Sequence, residues 1–230
     1  MAGLAARTSA WAPAPGSCVG PSTCDRFTSA LGAGQRVLSY TYYTPWGAKG
    51  GKTKQNGRPN DRSSVRYAEL LSSLATSVRE LYPGWRMRVY HNVTSEDTAA
   101  WASMCALYCS HPHVDLCDTN TLPSVGDLNT HFPIGRFWRF QALADPTVEM
   151  FGSRDVDSHL LPRERAAVAE WEERASLQFH VMRDGPFHIT TILAGLWGAN
   201  NYLNFRKAAN VRSRLLDVPV NHFKFYDQAV

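Results

Sequence analysis

The sequence predicts an α/β protein built on an open, mostly parallel sheet. Three observations carry this. Apolar segments of period two alternate with segments of period three to four between residues 36 and 182. The apolar run Val148 to Ser153 delivers two carboxylates, Asp155 and Asp157, at i and i+2 beyond it. A chain of 230 residues with 44% hydrophobic and 19% charged residues, including 7 Trp, 9 Tyr and 10 Phe, can fill one sizeable core.

Residues 1–35 are rich in Ala, Pro, Gly, Ser and Thr without hydrophobic periodicity, and are expected to be a flexible lead-in to a domain spanning 36–230. No stretch is apolar enough to span a membrane, and Met1 to Arg7 lacks the apolar region of a signal peptide. The net charge of +4 falls short of the dense basic face that nucleic-acid binding requires.

The first strand is expected from Arg36 to Tyr43, where β-branched and aromatic residues dominate. Trp46 to Thr53 ends in Gly-Lys-Thr but is no P-loop, because Trp46 stands where glycine is needed and Gln55 to Pro59 continue the loop in place of a helix. Its Lys49, Lys52, Lys54 and Arg58 are expected on a basic loop. Tyr67, Leu71, Leu74, Val78 and Leu81 recur at steps of three and four, predicting a helix from Asp61 to Leu81 capped by Asp61 or Ser63. Met87 and Val89 alternate with arginines in a second strand, Trp85 to Tyr90. Ser95 is expected to cap a helix through Trp101, Met104, Cys105 and Tyr108, followed by a strand from Val114 to Cys117.

A third helix is expected from Ile134 to Leu143, with Phe137, Phe140 and Leu143 on one face and Asp145-Pro146 as its stop. The strand bearing Asp155 and Asp157 is then the fourth, and open parallel sheets bind ligands at such carboxyl ends. Pro162 and Glu164 suit the first turn of a helix whose stripe is Val168, Trp171 and Ala175. A fifth strand, Leu177 to Met182, delivers Asp184, flanked by His180 and His188. Gly195-Leu196-Trp197-Gly198 sets small residues around an aromatic plate, suited to backbone approach and ring stacking on a ligand or to a core tryptophan at a helix end.

The five cysteines make no regular disulfide framework, and a Cys18–Cys24 bridge is one option. Cys105, Cys109, His111 and His113 match no common zinc spacing and are expected to be buried thiols and loop histidines.

On a strand, Asp155 and Asp157 project to the same side, so both can share one hard divalent cation through oxygen. Such an ion neutralises charge on a departing diphosphate. Together with Arg136-Phe137 through Leu143, Ser153 to Ser158, Arg163-Glu164, Ala167-Val168-x-Glu170-Trp171, His180-x-Met182-Arg183-Asp184-x-Pro186-x-His188, Gly195 to Gly198 and Tyr226-Asp227-Gln228, this pattern resembles nucleotide-sugar-dependent glycosyltransferases of the GT-A type over residues 36 to 230.

The resemblance implies a Rossmann-like GT-A nucleotide-diphosphate-sugar transferase fold with helices on both faces of the sheet, Mn²⁺ or Mg²⁺ on Asp155 and Asp157, and transfer of a sugar from a nucleotide sugar to an acceptor hydroxyl on a glycan, protein or small molecule. Arg154 and Tyr43 then stand on the donor side, Asp184 binds donor-sugar hydroxyls, Gly195 and Trp197 shape the acceptor side, and Asp227 and Gln228 lie near the anomeric carbon. It also implies a secretory-pathway lumen. Metal-dependent nucleotidyl or phosphoryl transfer, and a carbohydrate- or nucleotide-binding protein that kept the fold, are the competing readings. Because the resembled fold commonly carries a further strand and a late histidine or acid completing the metal shell, the chain is expected to be incomplete at its C-terminus and weak as an enzyme.

Overall fold

The computed structural model describes residues 20–43, 61–132, 134–174, 176–183 and 192–217. They form an α/β fold around a six-stranded mixed sheet of order β3-β2-β1-β4-β6-β5. The strands are β1 (Gln35–Tyr42), β2 (Trp85–His91), β3 (Val114–Asp118), β4 (Val148–Ser153), β5 (Phe179–Val181) and β6 (Trp197–Asn200). β1 pairs in parallel with β2 and β4, and β2 with β3. β6 runs antiparallel to both β4 and β5, so the sheet is mixed beyond β4.

Helices cover both faces. On one side lie α2 (Asp61–Leu81), α3 (Thr98–Ser110) and α5 (Pro162–Glu173). They bury Leu71, Leu74, Val78, Met104, Leu107, Val168 and Trp171 against Leu38, Tyr40, Met87, Val89 and Met150 of the sheet. On the other side the 3₁₀ helix Gly135–Ala142 and α6 (Phe205–Leu216) pack Phe137, Trp138, Phe140 and Leu215 against Val37, Tyr90, Phe151 and Trp197. Each such large apolar side chain contributes roughly 1.5–3 kcal/mol when removed from water. Strand alternation explains why Val37 and Leu38 serve opposite cores. In β4 the pairing with β1 slips between Gln35 and Arg36, and this bulge puts Val148 and Phe151 on one face although they are three residues apart.

Several local expectations change in the folded chain. The domain starts well before residue 36: α1 (Arg26–Ala30) precedes β1, and Ser22, Thr23 and Cys24 are buried. One buried carboxylate anchors this segment, since Asp145 Oδ2 accepts from Ser22 Oγ at 2.9 Å, Thr23 N at 2.6 Å and the Arg88 guanidinium at 2.9 Å. The Arg88 charge and the Thr147 and Thr23 donors hold the Asp145 carboxyl below its ordinary range against the upward pull of burial. A low-complexity composition therefore becomes ordered because it satisfies a polar group that would otherwise be costly to bury.

Cys24 is joined to Cys117 and not to Cys18, which lies outside the described residues. Cys105 and Cys109 are free but exposed, not buried. The cap of α3 is Asp97, whose side chain accepts from Ala100 N at 3.2 Å, two residues later than Ser95. The segment expected as a third α-helix is 3₁₀, and the three-residue step of Phe137, Phe140 and Leu143 is the period of that tighter helix. A four-residue helix, α4 (Leu128–His131), precedes it. Gly195 to Gly198 leads into strand β6 in place of a helix end. The caps considered for α2, and Lys49, Lys52, Lys54 and Arg58, lie outside what is described.

Candidate functional site

The order of strands reverses at β1, which has β2 on one side and β4 on the other. Open α/β sheets bind their ligands outside the carboxyl ends of the strands at such a reversal point. β4 ends at Ser153, one residue before the buried Arg154, and Asp155 follows immediately. Asp155 is two residues past the strand and Asp157 lies in the turn beyond it, so the alternation expected of a continuous strand does not set their directions. Asp157 is exposed, whereas Asp155 is half-buried, its side chain 44% exposed.

Two neighbours fix Asp155. The Arg139 guanidinium, brought up by the 3₁₀ helix, forms an ion pair with its Oδ1. The same Arg139 Nη1 donates to the Arg154 carbonyl at 3.1 Å, and its backbone N–H donates to Thr41 Oγ1 of β1 at 3.0 Å. A charge-assisted pair tied to two strands in this way has little rotamer freedom. On the opposite side sits Gly195, where an added Cβ would fall 2.0 Å from Asp155 Oδ2. The segment before β6 is held there because Ser153 Oγ donates to the Ala194 carbonyl at 2.5 Å. The strand alternation that buries Ser153 thus also locks the Gly195 backbone against the carboxylate.

Tyr43 follows β1 at its carboxyl end, 53% exposed, with its ring edge-on to Trp138 at 6.0 Å. Gly135 makes room for it: a Cβ there would meet the Tyr43 ring at 2.3 Å. Farther along the edge, His91 ends β2 beside Asp118 at the end of β3. Asp118 Oδ1 accepts from Asn120 N at 3.0 Å and from Asn120 Nδ2 at 2.7 Å. His91 Nδ1 accepts from Val93 N at 3.2 Å, and burial draws the imidazole down to about 4 while Asp118 pulls the other way. It is therefore neutral at pH 7, with its second nitrogen carrying the proton.

Two residues expected at the ligand are built into the core. Arg154 is 2% exposed, pairs with Glu164 of α5 and donates to the Ser153 carbonyl at 2.6 Å. Tyr82 adds a hydrogen bond to Glu164 at 3.1 Å, and burial pushes its hydroxyl far above the ordinary range. The Arg154 guanidinium ties α5 to the sheet through Glu164 and the Ser153 carbonyl. Trp197 is 5% exposed and packs on Phe151 at 5.2 Å and Phe140 at 5.7 Å, so it is no exposed stacking plate. His180 stacks on Trp171 at 5.4 Å. Asp184, His188, Asp227 and Gln228 lie outside the described residues.

Sequence reasoning gave no role to Arg139, His91 or Asp118. A signal for Arg139 exists: one cation inside the aromatic run Phe137-Trp138-Arg139-Phe140 must be paired when that run is buried.

No group of three or more His, Cys, Asp or Glu arranged to hold a metal occurs among the described residues. The donor set of Asp155 and Asp157 is all oxygen, which suits a hard divalent ion that completes its shell from diphosphate and water. Asp155 Oδ2, facing the Cβ-free cradle of Gly195, is the carboxylate oxygen not engaged by Arg139. The chain matches no family model and no curated protein.

Proposed function

We propose that the chain is a metal-dependent glycosyltransferase that moves a sugar from a nucleotide-sugar donor to an acceptor hydroxyl. The observation supporting this is the position of Asp155. It stands at the carboxyl end of a central parallel strand, at the reversal point of the sheet, clamped between Arg139 and the bare backbone of Gly195. With Asp157 it would hold Mn²⁺ or Mg²⁺ against the donor diphosphate, and the ion supplies charge neutralisation to the leaving group.

The residues of the chain have distinct tasks in this reading. Arg139 orients Asp155. Tyr43 offers an exposed ring at the carboxyl end of β1 for the donor. Gly195 lets the ligand and the carboxylate approach the backbone closely. Asp184, Asp227 and Gln228 carry the donor-sugar and anomeric-carbon contacts that the GT-A resemblance implies.

The test is calorimetry of nucleoside diphosphates with and without Mn²⁺ on the parent chain and on Asp155→Asn and Asp157→Asn. Metal-dependent binding is expected in the parent and lost by at least tenfold in each variant. Unchanged metal-dependent affinity in both variants would place the site elsewhere. Turnover of labelled nucleoside triphosphates but not of nucleotide sugars would favour nucleotidyl transfer, and saturable binding without turnover would favour a binding protein.

A further inference from the structure

α3 has no polar side. Its residues Thr98–Ser110 include no charged side chain, and Ala100, Met104 and Leu107 are buried against the fold. Yet Trp101 and Tyr108 are each 44% exposed, and Cys105 and Cys109 are exposed free thiols. These four residues stand at i, i+4, i+7 and i+8, so they share one outward stripe of the helix. A helix at a protein surface ordinarily shows charge on that side, and an aromatic and thiol stripe there is the composition of a face that becomes covered.

The disulfide Cys24–Cys117 says what covers it. Both of its residues are buried, at 2% and 0% exposure, and it joins the segment before α1 to β3. Structural disulfides persist in compartments where thiols are oxidised. Exposed thiols there pair between molecules or remain as reactive thiols. Cys105 and Cys109 cannot satisfy each other within the helix. Cβ atoms at i and i+4 are about 5–6 Å apart and point the same way, whereas a disulfide needs about 3.5–4.5 Å and converging bonds. The other protein thiols open to them are Cys18, which lies outside the described residues, and those of a second molecule.

We infer that the outer face of α3 is the interface of a disulfide-linked homodimer, closed by Cys105 and Cys109 across to a second copy of this chain. A second copy fits because the face carries no charge to repel its own image. A two-fold axis crossing two antiparallel α3 helices also sets Cys105 of one copy opposite Cys109 of the other, and the reverse. A helix of this length spans about 20 Å, and its one face falls below the roughly 800 Å² per partner of a stable interface. Trp101 and Tyr108 supply apolar contact, and the covalent bonds supply what area does not.

The oxidant is a low-molecular-weight disulfide of the glutathione class. The Cys105 thiolate attacks it, forming a mixed disulfide and releasing one small thiolate. Cys109 of the second copy then attacks the mixed disulfide at the protein sulfur and expels the second small thiolate. One interchain S–S bond forms, two protein thiols lose two protons and two electrons, and the small disulfide is reduced to two thiols.

The experiment incubates the full chain in an oxidising glutathione buffer and reads non-reducing denaturing electrophoresis, light scattering and peptide mapping. A covalent dimer is expected, with Cys105 and Cys109 peptides joined between chains. Cys105→Ser/Cys109→Ser should be monomeric on the same gel with the parent's melting temperature. Trp101→Glu, with both cysteines kept, should slow dimer formation at least fivefold by setting like charges face to face. Four results would overturn the inference: a parent that stays monomeric with its thiols free or capped by glutathione, a covalent dimer that survives in the double variant, a crosslink mapped to Cys18, or parent-like dimerisation of Trp101→Glu.

Discussion

Gly195 lies directly against the carboxylate of Asp155: a Cβ built on it would fall 2.0 Å from Oδ2 and 2.6 Å from Cγ. The contact is with the end of a side chain, but that side chain is pinned on its other oxygen by Arg139. Gly195→Ala therefore cannot be absorbed by free rotation of Asp155. We expect this variant to fold with a stability loss of about 1–3 kcal/mol, the usual range for overpacking, and to lose at least tenfold in Mn²⁺-dependent nucleotide affinity. A chemical melt together with calorimetry separates the two effects, and parent-like affinity would remove Gly195 from the site.

Arg139→Gln separates orientation from charge. Removing the cation leaves Asp155 with more negative potential for an added metal but without its clamp. Mn²⁺ affinity in the absence of nucleotide should stay equal or rise a few-fold, while donor turnover falls by tenfold or more. Loss of the hydrogen bonds to Asp155 and the Arg154 carbonyl should cost about 1–3 kcal/mol. Parallel loss of metal affinity and turnover would show that Arg139 acts only through general stability.

Stability should fall on mild acidification because of His91. Burial draws its folded-state value down to about 4, below the ordinary 6.5, so the unfolded chain binds more protons between those limits. The contribution is complete above pH 6.5 and is lost as pH falls toward 4, on the order of 3 kcal/mol over the window. Denaturant melts between pH 7 and 5 should show a shallower slope for His91→Gln than for the parent. Identical slopes would assign the acid sensitivity to other groups.

The Cys24–Cys117 bridge spans a sequence separation of 93 residues. Closing so long a loop in the unfolded chain is worth about 4–5 kcal/mol in the chain-entropy account. The double variant Cys24→Ala/Cys117→Ala should lose most of this in a urea melt and expose the segment before α1 to proteolysis. Parent-like stability would mean that the Asp145 network holds this segment unaided.

Some of this architecture was readable from local pattern. The run of period three to four placed α2 at its observed limits, and the arginine-interleaved run placed β2, because which side faces the core depends only on spacing along a single element. The arrival of Asp155 at the end of the fourth strand was readable for the same reason. What periodicity could not tell was how segments far apart meet. β6 is four residues long, and its start reads as small residues around an aromatic plate or as a helix end until Ala199 and Gly198 pair with Phe151 and Gly152 of β4. Cys24 has no local feature that selects Cys117 over Cys18, because the selection is made by the Asp145 network that seats its segment.

Arg139 and Arg154 make the division plain. Both are arginines beside aromatic or glycine-rich runs, and the residue next to the carboxylates was the natural candidate for the ligand. Residue order and helix period determined that a strand, a carboxylate pair and a following helix would come in succession. Only the tertiary packing decided which guanidinium served which acid. The turn of α5 over the sheet delivered Glu164 to Arg154, and the tight 3₁₀ helix carried Arg139 across to Asp155. A buried cation is committed to whichever carboxylate the packed layers bring within hydrogen-bonding reach, and that distance is a property of the assembled sheet.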